Sequence, residues 1–490
     1  MNRFLLKVFG AVARVTDSAL GPHQTAVIRI GFSATWLLFL LREFPHRQEL
    51  YGPDGPWDRD LAEQLVGSNG AFTALLWSDG QGWFEALYLL AMVWSVLLLL
   101  GWRTRTMSVL FMVGVLSLQN RSVFMGDGGD NVLHLMSVYL VFTRCGRVWS
   151  LDARRARRAD GTRARGERTR DRTGPALWGV LGLLLLLATL AGRMDGDRFV
   201  PALLWTVWLA QALWWLVGRY ARTPQPRGLL DVVANIVHNG ALLVIMAEAC
   251  LIYATAGWYK VQGSRWQDGT AVHYPLHLEY FSPWPFLGDL LTASGTLVML
   301  VTYGTVAVQV AFPFTLFNRR VKNVLLALMI TEHAVIAVVL GLPFFSLAMI
   351  AADAVFLPTS FLRRLGGAFG RACAWVRTRT LRVLPSRRRT EGAPVPAPRT
   401  GSPGEPVDRA DRTDRTDRAD RTDRVGGTDQ VGRMDQVGRT DHMGHLDREE
   451  REEREEREDR EERVGREGRE EPDGRGPTVP APGKAPGTRP

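Results

Sequence analysis

The stretch Ala26–Leu41, AVIRIGFSATWLLFLL, carries a single charge, Arg29. Such a run is close to the roughly 20 apolar residues that take a helix across a bilayer. It is followed by REFPHRQELYGPDGPW (Arg42–Trp57), which is charged and turn-rich and lacks a small-residue cleavage site. The run therefore reads as a retained membrane helix, not a signal peptide. Comparable runs recur near Phe84–Leu100, Met107–Leu118, Val132–Phe142, Ala176–Ala191, Pro201–Val217, Leu229–Trp258, Leu287–Phe317, Val324–Leu340 and Phe344–Leu357. That makes about ten spans, of which Met107–Leu118 and Val132–Phe142 are the shortest.

Composition agrees once the chain is divided. The mean hydropathy of −0.04 over 490 residues averages an apolar part up to Pro358 with a remainder rich in Arg, Asp, Glu, Gly and Pro. Sixteen Trp suit aromatic belts at a membrane surface better than a tight soluble core. These features exclude a soluble globular enzyme. Cys145, Cys250 and Cys373 lie far apart and leave one unpaired, which excludes a disulfide scaffold. The net charge of +10 raises the question of nucleic acid. No basic reading helix and no zinc spacing accompanies it, so no nucleic-acid partner is expected.

The positive charge is placed between the spans. Basic clusters occur at Arg3–Arg14, Arg103–Arg105, Arg144–Arg172, Arg219–Arg227, Arg319–Lys322 and from Arg363 onward. The intervening loops are poorer in cations, among them FMGDGGDN, RMDGDR and the segment Val261–Trp284. Ten helices and a cytoplasmic N-terminus put every basic cluster on the cytoplasmic side. The expected architecture is an all-α polytopic transmembrane helical bundle of about ten helices with a disordered, charged C-terminal tail. Residues 1–24 form a cytoplasmic segment and residues 25–360 the membrane domain. Within that domain lie an Arg-rich cytoplasmic linker (144–175) and a helix pair (176–218). Residues 361–490, with DRADRTDRTDRADRTDR and REEREEREDREER, read as a disordered cytoplasmic tail with nothing apolar to bury.

Inside a bilayer an ionisable residue is costly unless it is paired or faces a cavity. Candidates are Arg121, Asp130, His134, Glu248, Lys260, Glu332, His333 and Asp353; Arg29 is expected to snorkel. Lys260 closes CLIYATAGWYK (Cys250–Lys260). In an apolar cleft it could act as a base near neutral pH; beside Trp258 and Tyr259 it could equally be an interfacial anchor. In MGDGGDNVLHL, Asp130 or Asn131 reads as a helix N-cap, with Asp130 also placed to pair with Arg121. His134, a turn further in, reads as a buried imidazole as readily as a catalyst. No GxSxG elbow, P-loop, HExxH or CxxC is present, and no metal site is expected.

Several motifs occur together in one order: VIRIGFSATWLLFLL, LYGPDG, GWRTR, LSLQNR, GGDNVLHL, RVWSLDA, IYATAGWYKVQGSRWQDGTAVHY and HAVIAVVLGLPFFSLAMIAADAVFLP. In this the chain resembles the horizontally transferred transmembrane (HTTM) domain proteins. The resemblance covers Thr25–Pro358, apart from the Arg-rich linker and the helix pair Ala176–Val217. That family is related to the vitamin K-dependent γ-glutamyl carboxylase. There a lysine after an Ala-Gly pair deprotonates reduced vitamin K, and the strong base then formed removes a glutamyl γ-proton.

The resemblance implies that Lys260, in AGWYK, is the catalytic base and that His333, ahead of FSLAMIAA, accompanies it. Near the start of the helix leading to WSLD the carboxylase has a catalytic histidine. This chain has GGDN there, so Asp130 stands at that place and His134 about a turn later. The implied cofactor is reduced vitamin K or menaquinol. The implied partners are membrane lipids, a quinone and an exported peptide, since relatives include a toxin-maturation type. The expected function is a carboxylase-like or oxidoreductase-like activity on the extracytoplasmic side of the cell membrane. The alternative is a non-catalytic membrane protein binding quinone, lipid or a peptide.

Overall fold

The computed structural model describes residues 3–383 apart from 123, 125, 164–171, 195, 197 and 222. The tail beyond Val383 and the middle of the Arg-rich linker therefore lie outside the described residues.

The first part of the chain forms α1 (Arg3–Asp17), α2 (Pro22–Glu43), the short α3 (Arg47–Tyr51), α4 (Arg59–Asn69), α5 (Gln81–Leu100), α6 (Thr104–Arg121), α7 (Gly128–Val141) and α8 (Leu151–Arg163). It continues with α9 (Thr173–Leu190), α10 (Phe199–Tyr220), α11 (Gln225–Gln262), α12 (Ser264–Gln267), α13 (His273–Leu276), α14 (Pro285–Thr292), α15 (Gly295–Ala311), α16 (Arg319–Val339), α17 (Pro343–Asp353) and α18 (Thr359–Val383). No strand occurs among the described residues.

Helix ends fall where orphan backbone groups find side-chain partners. Asn318 accepts from Arg320 N and Val321 N at the start of α16. Asp127 and Asp130 form a reciprocal capping box at the start of α7. The N-cap there is Asp127, not Asp130 or Asn131, because the helix begins at Gly128. At the end of α5 the chain turns through Gly101 in the left-handed region, at φ +71°. Arg29 of α2 donates there to the carbonyls of Leu98 (2.6 Å), Leu99 (2.9 Å) and Trp149 (2.8 Å). It is fully buried and does not snorkel. A cation among the last carbonyls of a helix meets their negative end.

α2 lies at the centre, with Phe32, Trp36 and Leu40 buried. It packs on α5, α7 and α17, while α6 lies between α5 and α7. Among the described residues, seven helices are long and apolar enough to cross a membrane. An eighth is added if α17 with the turn after it, and α18, bent by 119° at their junction, count as one span. Each of the ten expected spans falls on helix, one of them on two helices, but α6, α7 and α17 taken alone fall below that measure. α6 carries Arg105 at one end and Gln119, Asn120 and Arg121 at the other, and α7 has only 14 residues. The segment Leu287–Phe317 is not one helix, since α14 ends before Ser294, which caps α15 through Leu297 N. α18 also occupies the first part of the stretch expected to be tail, with Leu362 buried.

α6 and α7 form an antiparallel hairpin: Gln119 near the end of α6 reaches the first turn of α7, donating to Asp130 O at 3.1 Å. Arg103 and Arg144 consequently return to the same end of the bundle. Arg144 is fixed there by Asp231 (2.7 Å) and Asn235 (2.6 Å) near the start of α11. α11 runs about 57 Å at 1.5 Å per residue, well over the roughly 30 Å of a hydrocarbon core.

Candidate functional site

α11 presents Tyr253, Gly257 and Lys260 on one face, since residues four and seven apart share a helix side. Gly257 makes this face approachable. A Cβ built there would lie 2.7 Å from Val310 Cγ2 and 3.3 Å from the Val310 amide nitrogen on α15. Small residues at such crossings let two helix backbones close up. Trp258 and Tyr259 point the other way, 62% and 73% exposed. The aromatic pair is thus on the outer surface, whereas Lys260 turns into the bundle.

Lys260 Nζ donates to Gln309 Oε1 at 2.7 Å and lies 5.2 Å from the Trp266 ring centre. Gln309 is buried on α15, and its Nε2 donates to Glu332 Oε1 on α16 at 2.8 Å. The amide is suited to that place because it accepts at one end and donates at the other. Gln309 stands near the far end of α15 from Gly295, about 21 Å along the axis at 1.5 Å per residue. Lys260, near the end of α11, therefore meets α15 close to that helix's own C-terminal end.

His333 follows Glu332 and is buried. Its Nε2 is 3.0 Å from the Tyr253 hydroxyl, which donates to Asp353 Oδ2 at 3.0 Å. A phenol has one hydrogen, so the hydroxyl that donates to Asp353 accepts from His333, which assigns the ring proton to Nε2. His333 Nδ1 and Asp353 Oδ1 are then acceptors, and neither has a hydrogen-bond partner among the described residues. Buried polar atoms without partners are uncommon and costly. Six side chains from α11, α15, α16 and α17 thus meet in two linked sets, Lys260–Gln309–Glu332 and His333–Tyr253–Asp353.

Asp130 and His134 lie elsewhere. Asp130 Oδ2 accepts from the Asp127 amide at 2.9 Å, and His134 Nδ1 lies 3.1 Å from Gln119 Oε1. Both line a separate cavity of about 160 Å³ with Trp36 and Tyr51. Phe345 of α17 stands between the groups. Its ring is 5.5 Å from that of His333, and its backbone would be 2.6 Å from a Cβ at Gly129. Arg121 does not pair with Asp130; it donates to the carbonyls of Gly52 (3.0 Å) and Trp57 (3.1 Å). Glu248 is half-buried on α11 and joins neither set.

Of the sequence candidates, Lys260 and His333 belong to two neighbouring hydrogen-bonded sets that meet on α16 at Glu332 and His333, whereas Asp130 and His134 lie apart. Sequence reading had not singled out Gln309 or Tyr253. A Gln in an otherwise apolar helix was the available signal for the first; one Tyr among nine gave none for the second. Among the described residues no cluster of His, Cys, Asp and Glu could hold a metal ion. Neither a protein-family model, nor a curated protein, nor a solved structure matches this chain.

Proposed function

We propose that the chain is a polytopic membrane protein of the HTTM type that binds a quinone and performs carboxylase-like or oxidoreductase-like chemistry at the Lys260 network. The observation that carries the reading is the inward turn of Lys260 onto Gln309, within an apolar bundle and away from its aromatic neighbours. An anchor would lie with Trp258 and Tyr259. Ionisable groups held at such depth are expensive and are retained where they act.

A dihydroquinone fits the donor set, because His333 Nδ1 and Asp353 Oδ1 are unpartnered acceptors and a quinol hydroxyl is a donor. When bound it supplies an acidic hydroxyl and two electrons. Lys260, in its neutral form, takes a proton on Nζ; Gln309 holds that nitrogen, and Glu332 offsets the charge gained. Tyr253 fixes the His333 ring and joins it to Asp353. An exported peptide as final substrate rests on the resemblance alone.

The test is extraction of the protein, purified in detergent, for bound quinone. The wild-type chain should carry one, and Lys260→Ala should lose most of it while remaining folded, with a melting transition that is lowered but still cooperative. Lys260→Arg should fold yet fail in quinol-dependent turnover, because a guanidinium stays protonated. Quinone-free wild-type protein would overturn the reading. So would a fully active Lys260→Arg variant, which would favour the non-catalytic alternative.

A further inference from the structure

At the end of the bundle remote from Lys260, about 43 Å along α11 by helical rise, Asp231 and Arg144 mark a second region. The start of α6, the turn after α7, the start of α8 and the α9–α10 hairpin enclose a cavity of about 840 Å³ there. Its lining is of two kinds. Arg105, Arg147 and Arg157 contribute charge to the lining, and Trp178, Trp214 and Trp215 contribute apolar surface.

The charges on this lining are unbalanced. Arg144 is held by Asp231, and Asp152 is occupied by the amides of Arg103 (2.8 Å) and Thr104 (2.7 Å). The guanidinium groups of Arg105, Arg147 and Arg157 make no hydrogen bond or ion pair with any described residue; that of Arg105 lies over the Trp214 ring at 4.9 Å. With Asp152 alone among them as a carboxylate, the cations of this lining are in excess and repel one another until an anion arrives. Guanidinium groups suit phosphate because they bond its oxygens two at a time.

The apolar part of the lining is preformed. Trp178 and Trp208 stack with centroids 4.3 Å apart, and each indole donates to the other's carbonyl at 3.1 Å. From there α9 and α10 expose Leu183, Leu187, Leu209 and Leu213. A soluble anion would need the charged part only. An amphiphile uses both.

We propose that this cavity takes the phosphate headgroup of an anionic phospholipid, with Arg105, Arg147 and Arg157 on the phosphate and the tryptophan wall along the start of the acyl chains. Basic pockets between membrane helices on the cytoplasmic side have this chemistry. The proposal rests on reading the chain as a membrane protein. Extraction by alkaline carbonate without detergent would fail that reading, whereas the measurements below fail this one alone.

The full chain in detergent is titrated with phosphatidylglycerol, phosphatidylcholine or inorganic phosphate, with native mass spectrometry and thermal melting as readouts. Phosphatidylglycerol should bind and raise the melting temperature, less so at high salt. Phosphatidylcholine and millimolar phosphate should do neither. The triple variant Arg105→Gln, Arg147→Gln, Arg157→Gln should bind phosphatidylglycerol at least tenfold more weakly. Gly179→Trp keeps every charge and adds bulk where a Cβ meets nothing within 4 Å, and it should exclude the lipid too. If the triple variant does not fold, Gly179→Trp decides. Equal binding of phosphatidylcholine, or undiminished phosphatidylglycerol binding by the foldable variant, overturns the proposal. Displacement of the lipid by phosphate overturns it in favour of a soluble anion.

Discussion

Lys260 and Glu332 carry opposite formal charges without pairing directly, and Gln309 spans the gap between them. Removing one member of a buried charge pair costs more than removing both, since the survivor is left uncompensated. Lys260→Met and Glu332→Gln should each destabilise the protein by about 1–3 kcal/mol, below the roughly 3–5 kcal/mol of a deeply buried pair because Lys260 is only half-buried. The double variant should recover much of that loss. Thermal melting of the three proteins in one detergent measures the coupling. Losses that simply add would mean that the two charges do not sense each other through Gln309. Sequence reading found Lys260 and His333 because a charge in an apolar run stands out. It set Asp130 and His134 beside them, since nothing in the order of residues reveals that Phe345 stands between.

Arg29 shows how one residue can end an element on another helix. It was expected to snorkel, as a cation close to the end of an apolar run commonly does. Its partners, the carbonyls of Leu98, Leu99 and Trp149, come from distant parts of the chain and could not be read from α2 alone. Arg29→Met should leave those carbonyls unsatisfied in a buried setting, at a cost of about 2–4 kcal/mol from more than one lost bond. Gly101→Ala should be harmful as well: its Cβ would lie 2.4 Å from Ser150 Cβ, with φ already positive. The check is the yield of monodisperse protein on size-exclusion chromatography and its melting temperature. An Arg29→Met variant indistinguishable from wild type would restore the snorkelling role. Apolar periodicity located α5, α9, α10 and α16 well, because each is apolar along most of its length. It located α6 and α7 as the shortest of the expected spans but ran α14 into α15, because hydropathy does not register a Ser cap.

At the scale of the whole molecule, the Arg clusters of α6, the turn after α7, α8 and the start of α11 gather at one end, and Lys260 lies well away from it along α11. On the proposed reading as a membrane protein, the positive-inside rule predicts that Arg-rich end to be cytoplasmic. In a Cys373→Ser background, Ser264→Cys should react with an impermeant thiol reagent in intact cells, and Gln225→Cys only after lysis. Both positions are exposed. The reverse pattern would invert the orientation and move the Lys260 network to the cytoplasmic half. Cys145 is buried and leaves the background signal low.

By itself, the sequence determined that this chain is a series of apolar helices with its cations collected between alternate ones. Apolar character is local, and adds up along each segment without reference to any other. Only the tertiary structure decided that Lys260 turns inward, that Tyr253 joins His333 to Asp353, and that three arginines and three tryptophans line one cavity. Those arrangements link residues many tens of positions apart, by hydrogen bonds and ring contacts a few ångströms long. They depend on which helices pack together and how each is rotated about its axis, and apolar composition leaves both open.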